Sequence, residues 1–457
     1  MLLEHYNNGR YDDAEQLANS IIVNFPNHQF SWKVLGAVFK KTGRMTESLF
    51  ALQKAVGINP KDAESHNNLS NVLREIGKLE ESEASCRQAI ELNPDYVSAH
   101  YNLGITLQEL GRFEEAELSY RQAIELNPGH AKAHLDLGNI LKELGRLKEA
   151  ELSYRQAVAL KPAYTEAHNN LGVILQELGR FEGAINSYNT AERLDPNLDY
   201  KMNISAAHLK NGDPKNALLV LEKFLEKNPQ DTRANAYKSI ALRGLGKFEK
   251  FQDLINFPNL VIKSYIQTLT SEDMINFNKE LLLTLAKDPR RTPEINSRGW
   301  AIRGGTVIRN LFNSTDYLIE KFRTLLLESI DTYIAGLPNN SKHPFLMMKP
   351  KNYHVNCWVN FLEAGDYQSN HIHDIGWMSG VYYLSVPEIE IEKEHSGWIE
   401  FNRAGYNLPH FAGEKGIELI KPEEGLFIFF PSYVWHRTIP FLGSHSRVSI
   451  SFDISFH

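Results

Sequence analysis

Residues 95–128 read DYVSAHYNLGITLQELGRFEEAELSYRQAIELNP, and residues 129–162 repeat that wording as GHAKAHLDLGNILKELGRLKEAELSYRQAVALKP. Pro26, Pro60, Pro94, Pro128, Pro162 and Pro196 keep a spacing of 34 residues, and Pro229 follows after 33. Gly9, Gly43, Gly77, Gly111, Gly145, Gly179, Gly212 and Gly246 keep the same beat. Within each period the glycine separates two amphipathic segments of helical length and the proline stops the second, so the unit is helix, turn, helix, stop. Gly104, Gly138 and Gly172, with Ser70 as their counterpart, and Ala116, Ala150 and Ala184, with Ser82, stand where the two helices must approach closely. About six complete repeats are expected from about residue 29 to 231, with a partial one before and a degenerate one ending near Pro258.

A 34-residue period with this wording resembles the tetratricopeptide repeat, and the units are similar to those in the arm of the O-linked N-acetylglucosamine transferases. The resemblance covers roughly residues 1 to 250 and implies an α superhelix with a concave groove that binds a protein or peptide. Asn68, Asn102, Asp136, Asn170 and Asn203 recur just before an apolar residue of the first helix of each unit. Such a row can hydrogen-bond the backbone of an extended peptide, as the asparagine ladder of the resembled arm does, or it can simply solvate the inner helices. His66, His100, His134 and His168 recur two positions earlier. Equivalent side chains of neighbouring repeats lie about 10 Å apart, too far for shared ligation at about 2 Å, so these histidines are expected to serve packing.

At 457 residues the chain exceeds the size of one growing core, and two domains are expected, an array over 1–258 and a second domain over 259–457. A formal charge of -7 gives no footprint for nucleic acid and disfavours anionic membrane surfaces. Cys86 and Cys357 are the only cysteines, which fits a reducing compartment, the cytoplasm. The N-terminus lacks the pattern of a secretory signal, and no stretch approaches the ~20 apolar residues of a membrane span.

After Gly246 the repeat pattern fades, and residues 270 to 288 and 315 to 336 read as helices. From Pro344 the pattern turns to short apolar or alternating runs: 355–362, 368–373, 378–386, 397–402, 419–420, 425–431, 436–439 and 447–454. Eight short strands suit an all-β double-stranded β-helix, or jelly roll, with a helical lead-in. Two of these runs carry chemistry. His371 and His373 are separated by one residue, His436 follows 65 residues after the first, and Arg447 comes 11 later. Three imidazoles so placed can hold one divalent metal, and a nearby arginine can hold a carboxylate.

The segments Trp358-Val359-Asn360-Phe361-Leu362, Gly365-Asp366-Tyr367-Gln368, His371-Ile372-His373, Ser379-Gly380-Val381-Tyr382-Tyr383, Gly397-Trp398-Ile399-Glu400-Phe401, Phe430-Pro431-Ser432 and Arg447-Val448-Ser449-Ile450 resemble the 2-oxoglutarate and Fe(II)-dependent oxygenases. The resemblance implies Fe(II), 2-oxoglutarate as co-substrate, and hydroxylation as the usual outcome. It implies His371 and His436 as metal ligands, with Arg447, Ser449 and Tyr383 on the distal carboxylate of 2-oxoglutarate. Most enzymes of the class use His-x-Asp; here His373 occupies the third position and Asp374 follows it. His373 shares a strand face with His371 and is the expected ligand, whereas Asp374, the alternative, would need a bulge or turn to reach the metal. Arg437 is expected to face away, and His354, His395, His410 and His445 to be ordinary surface or core histidines. Asn356, Trp358, Asn360 and Trp377 could line the mouth or belong to the core.

The expected protein is thus a dioxygenase whose array recruits a protein or peptide. The alternative is a catalytically inactive adaptor with a metal-binding barrel. A glycosyltransferase is disfavoured, because no stretch after the array shows two Rossmann-like units.

Overall fold

The computed structural model describes residues 1–293, 301–387, 395–442 and 446–456, and His445 lies outside them. The chain divides into two compact units, Met1–Leu198 and Asp199–His457.

The first unit is a series of helical hairpins, among them Val97–Glu109 with Phe113–Leu126, Ala131–Glu143 with Leu147–Leu160, and Thr165–Glu177 with Phe181–Leu194. Gly111 closes its hairpin at φ +74°, and the neighbouring amides return to the helix end, Gly111 N–H to the Gln108 carbonyl at 3.0 Å and Arg112 N–H to Leu107 at 2.9 Å. Close approach accounts for the small residues. A Cβ on Gly104, Gly138 or Gly172 would stand 2.6 Å from a ring carbon of Tyr120, Tyr154 or Tyr188, all buried. The repeat with Ser70 in place of glycine has buried Cys86 in place of tyrosine, so the pair exchanges volume together.

The periodic histidines are structural. His66, His100, His134 and His168 place Nε2 at 2.9, 2.8, 3.1 and 2.9 Å from the carbonyls of Pro60, Pro94, Pro128 and Pro162, tying each first helix to the turn before it. Arginines join successive repeats: Arg112 pairs with Glu83 of the preceding unit and Glu115 of its own, both at 2.6 Å, and Arg146 does the same with Glu117 and Glu149.

The second unit opens with helices Lys201–Lys210, Pro214–Leu225, Thr232–Gly244 and Phe248–Ile255. The sequence boundary near 258 follows the repeat pattern, whereas the compact units part at 198, because these helices share one hydrophobic core with the β domain. That core joins Leu209, Leu221, Tyr237, Phe251 and Leu254 to Phe401, Phe430 and Trp435.

The strands are β1 (Ile262–Tyr265), β2 (Thr292–Pro293), β3 (Ile302–Arg303), β4 (Thr306–Ile308), β5 (Tyr353–Leu362), β6 (Tyr367–Gln368), β7 (Met378–Ser385), β8 (Ile399–Phe401), β9 (Glu418–Ile420), β10 (Leu426–Pro431), β11 (His436–Thr438) and β12 (Arg447–Phe456). The large antiparallel sheet runs β1-β10-β7-β12-β5-β4-β2, and β11-β8-β9 and β3-β6 form smaller sheets. One large sheet with smaller antiparallel sheets beside it is the arrangement of a jelly roll. Alternation along the strands sorts the side chains. Tyr382, Phe427 and Phe429 face the helices Ser271–Ala286 and Tyr317–Gly336, where Phe322 packs 5.3 Å from Tyr382, Tyr333 stacks 5.0 Å from Phe429, and the Tyr382 hydroxyl donates to Asn278 Oδ1 at 2.6 Å. Ser379, Tyr383, Arg447, Ser449 and Asp453 are thereby sent to the opposite, interior face. Several expected strands are shorter than their sequence windows, 397–402 shrinking to Ile399–Phe401 and 368–373 most of all: β6 ends at Gln368, and His371 makes only an isolated bridge to His436 before a turn at 374–375.

Candidate active site

The isolated bridge sets the site. His371 N–H donates to the His436 carbonyl at 3.0 Å and His436 N–H donates back at 3.1 Å, so two histidines distant in sequence become cross-strand neighbours. Every imidazole then has its Nδ1 beside an acceptor: Ser369 O at 2.8 Å for His371, Val434 O at 3.0 Å for His436, and the Asp453 carboxylate at 2.8 Å for His373. A carbonyl or carboxylate only accepts, so these partners assign the proton to Nδ1 and leave a lone pair on Nε2.

The ligating atoms of the three rings lie within 4.8 Å of one another, and Nε2 of His373 and His436 are 3.2 Å apart. Two nitrogens each about 2 Å from one cation would stand about 3 Å apart, so the donor set fits a metal ion. Burial, reinforced by the neighbouring His373, pulls the His371 pKa down to about 3. Burial and the other two rings hold His436 well below its ordinary value. Both rings are therefore neutral near pH 7, the form that ligates.

Of the two residues expected to compete for the third position, His373 joins the cluster and Asp374 does not. Asp374 turns away to an ion pair with Arg233 on helix Thr232–Gly244. The same helix reaches both histidine-bearing segments. Thr232 Oγ1 donates to the Gly376 carbonyl at 3.2 Å, Trp435 Nε1 donates to the Ala236 carbonyl at 3.1 Å, and Tyr237 stacks on Trp435 with ring centroids 6.4 Å apart.

Farther along β12, Arg447 is 3 % exposed, its Nη1 donates to the Gly397 carbonyl at 2.7 Å, and its guanidinium lies 4.8 Å from the centre of the Tyr383 ring. Arg447 Nε and the Tyr383 hydroxyl are buried without hydrogen-bond partners. Burial lowers the arginine pKa and raises that of the tyrosine. Ser449, also buried, sits opposite Tyr383 in the strand register, just after a register shift at Val448/Ser449. A buried guanidinium with no ion pair among the described residues, beside an unpartnered phenol, is a cradle that fits a carboxylate.

A cavity of about 750 Å³ opens at the histidines, lined by His371, His373, Asn356, Trp358, Arg303 and Tyr406 among others; Arg447, Tyr383 and Ser449 are not part of its lining. Asn360 instead bonds Ser451 within the sheet at 2.9 Å, and Trp377 is a core residue stacked on Phe345. Arg437 faces away from the histidines and pairs with Glu400 at 2.7 Å. His354 is exposed on β5, His395 packs against Trp398, and exposed His410 lines the cavity.

Asp453 was not among the residues singled out from the sequence. The alternation Arg447, Ser449, Ser451, Asp453 places it on the site face, but its bond to His373 depends on the β12 and β7 pairing.

In the array, Asn102 Nδ2 donates to Asn67 at 2.8 Å, Asp136 accepts from the Tyr101 hydroxyl at 2.6 Å, and Asn170 donates to Asn139 at 3.0 Å. Asn68 lines a cavity of about 360 Å³ with Lys40, Lys41 and Asn71. Asn203 lies on helix Lys201–Lys210, in the second compact unit.

Residues 356–453, from β5 to β12, match the family described as Putative 2OG-Fe(II) oxygenase. Residues 2–63, 61–128, 101–165 and 135–199 match tetratricopeptide repeat families. The chain thus carries tetratricopeptide repeat matches followed by a segment similar to the family described as Putative 2OG-Fe(II) oxygenase. The oxygenase match contains the three clustered histidines, Tyr383, Arg447, Ser449 and Asp453. Among solved structures, YrrB, a TPR protein with an unusual peptide-binding site, is similar at 25% identity over 40% of this chain and 95% of its own, with a TM-score of 0.37. PilF of Pseudomonas aeruginosa is 17% identical over 45% of this chain and 94% of its own, with a TM-score of 0.40. The APC/C hetero-tetramer Cut9-Hcn1 is 17% identical over 53% and 48%, with a TM-score of 0.41. No curated protein matches the chain.

Proposed function

We propose that this protein is a 2-oxoglutarate- and Fe(II)-dependent dioxygenase in which His371, His373 and His436 hold the metal. The convergence of three Nε2 lone pairs, each fixed by an acceptor behind its ring, carries the reading. Iron and 2-oxoglutarate, when bound, would let dioxygen act as the oxidant: one oxygen atom would enter succinate as 2-oxoglutarate loses carbon dioxide, and the other would enter the substrate as C–H becomes C–OH. Arg447 receives the distal carboxylate of 2-oxoglutarate, with the Tyr383 and Ser449 hydroxyls as further donors, and the buried setting strengthens each bond. The large cavity beside His371 and His373 admits the group to be oxidised, and Trp358 forms part of its wall.

The repeat array, residues 1–258 by pattern, recruits a protein or peptide as substrate or partner. Asn68, Asn102, Asp136 and Asn170 serve as a backbone-reading row within the first compact unit. Free, buried Cys86 and Cys357 suit a cytoplasmic setting, and no helix among the described residues is long and apolar enough to cross a membrane. Purified full-length protein supplied with Fe(II) and 2-oxoglutarate is expected to release succinate even without a substrate. No turnover together with no 2-oxoglutarate binding would leave the adaptor reading in its place.

A further inference from the structure

With histidine at the third position, the clustered rings bring no negative charge to a divalent ion. The fold brings a carboxylate to the back of one of them. Asp453 Oδ1 lies 2.8 Å from His373 Nδ1 and also accepts from the Ser379 hydroxyl at 2.7 Å. Ser379 is in turn 2.8 Å from the Ser432 hydroxyl, and His373 N–H donates to the Ser432 carbonyl at 3.1 Å. Trp358 stacks over the His373 ring with centroids 5.8 Å apart. The ring is thus oriented by a carboxylate at one nitrogen and an aromatic on its face. His371 and His436 have only neutral backbone carbonyls behind them.

We infer that Asp453 is a positioning residue that supplies, from behind His373, the negative charge that a His-x-Asp site holds in direct contact with its metal. The inference rests on the metal-site reading above. A carboxylate accepting from Nδ1 makes Nε2 a stronger donor and holds the ring at a fixed angle. Position 373 and position 453 are then coupled: the site functions with its carboxylate at one place or the other. Asparagine at 453 can still accept from Nδ1 through its Oδ1, so it separates the charge from the hydrogen bond.

The test uses the full-length protein with Co(II) alone as probe, reading affinity by calorimetry and ligation by the visible absorption of the ion. D453N is expected to weaken Co(II) binding about tenfold or more and to alter its absorption. In an H373D background, which moves the carboxylate into direct contact, D453N is expected to change affinity by less than about twofold. S379A, which strips one bond from Asp453 and keeps the charge, is expected to lose less than about threefold and carries the test should D453N fail to fold. Wild-type affinity and absorption in D453N would overturn the inference, as would an equal loss in both backgrounds, the mark of a merely structural role. If S379A has to stand alone, a loss as large as tenfold, or none, overturns it. Absence of Co(II) and Fe(II) binding by the wild type would instead remove the metal site itself, and the inference with it.

Discussion

Replacing Arg447 by methionine should leave the metal-free protein as stable as before while abolishing its response to 2-oxoglutarate. The guanidinium is buried with one hydrogen bond, to the Gly397 carbonyl, and no ion pair among the described residues. That bond is worth about 1.5–3 kcal/mol because its donor is charged. Against it stands the desolvation of an uncompensated cation, several kcal/mol after relaxation. The two nearly cancel, and methionine retains most of the packing volume over Tyr383. The melting temperature of R447M without ligand is therefore expected within about 2 °C of the wild type. Wild-type protein at a hundredfold excess of 2-oxoglutarate over Kd should gain about 2.7 kcal/mol. For a unit of this size that corresponds to about 5–11 °C. Thermal melting with Mn(II) in place of iron, with and without 2-oxoglutarate, reads both quantities. A ligand shift that persists in R447M, or a loss above about 3 kcal/mol without ligand, would refute the argument that this charge is buried to await a partner.

The same chemical change should have opposite signs at two glycines. Gly57→Ala, in open space near the end of helix Met45–Ile58, should gain about 0.5–1 kcal/mol, whereas Gly138→Ala, meeting the buried Tyr154 ring at 2.6 Å, should cost about 1–3 kcal/mol in urea unfolding. His371 is held down to about 3, so between about 6.5 and about 3 the unfolded chain binds a proton that the folded ring refuses, and His436, also held below its ordinary value by burial, acts in the same direction. Metal-free stability should accordingly decrease as the pH is lowered through that window, by up to ~1.4 kcal/mol per unit for His371 and further for His436, and a flat pH series of denaturation midpoints would contradict it. Trp435→Phe removes the indole bond to Ala236 and keeps an aromatic against Tyr237. It should cost about 1 kcal/mol and also weaken Co(II) binding through His436, and unchanged affinity would show that the helix does not steady the site.

The array could be read from the sequence because each repeat restates the same contacts. A small residue at 104, 138 or 172 faces a tyrosine 16 positions on, and the coupled exchange to Ser70 and Cys86 follows the same rule. The long strands were legible for a related reason: β7 and β10 are buried on both faces and stand out as runs rich in aliphatic and aromatic residues. Legibility ended where function depended on distant partners. Nothing local to Asp374 reveals that it will meet Arg233, 141 residues earlier, nor does Trp435 announce a bond to a carbonyl 199 residues away. Periodicity identified the hairpins after Asp199 as repeats, yet it carries no information about what their outer faces are buried against. The strand expected through His373 stopped early because only His371 exchanges a reciprocal pair of backbone bonds with the facing segment, whereas His373 makes a single bond to the Ser432 carbonyl.

The sharing of one core between Thr232–Gly244 and the barrel sets the unit of inheritance for this architecture. The buried cluster around the barrel begins at Ala206 and draws only on residues of the second unit. The last hairpins must travel with the barrel, since a gene cut at the end of the repeat pattern would strip Trp435 and its neighbours of their cover. Those last hairpins are tied to the site through Trp435, which neighbours His436 and bonds the Ala236 carbonyl.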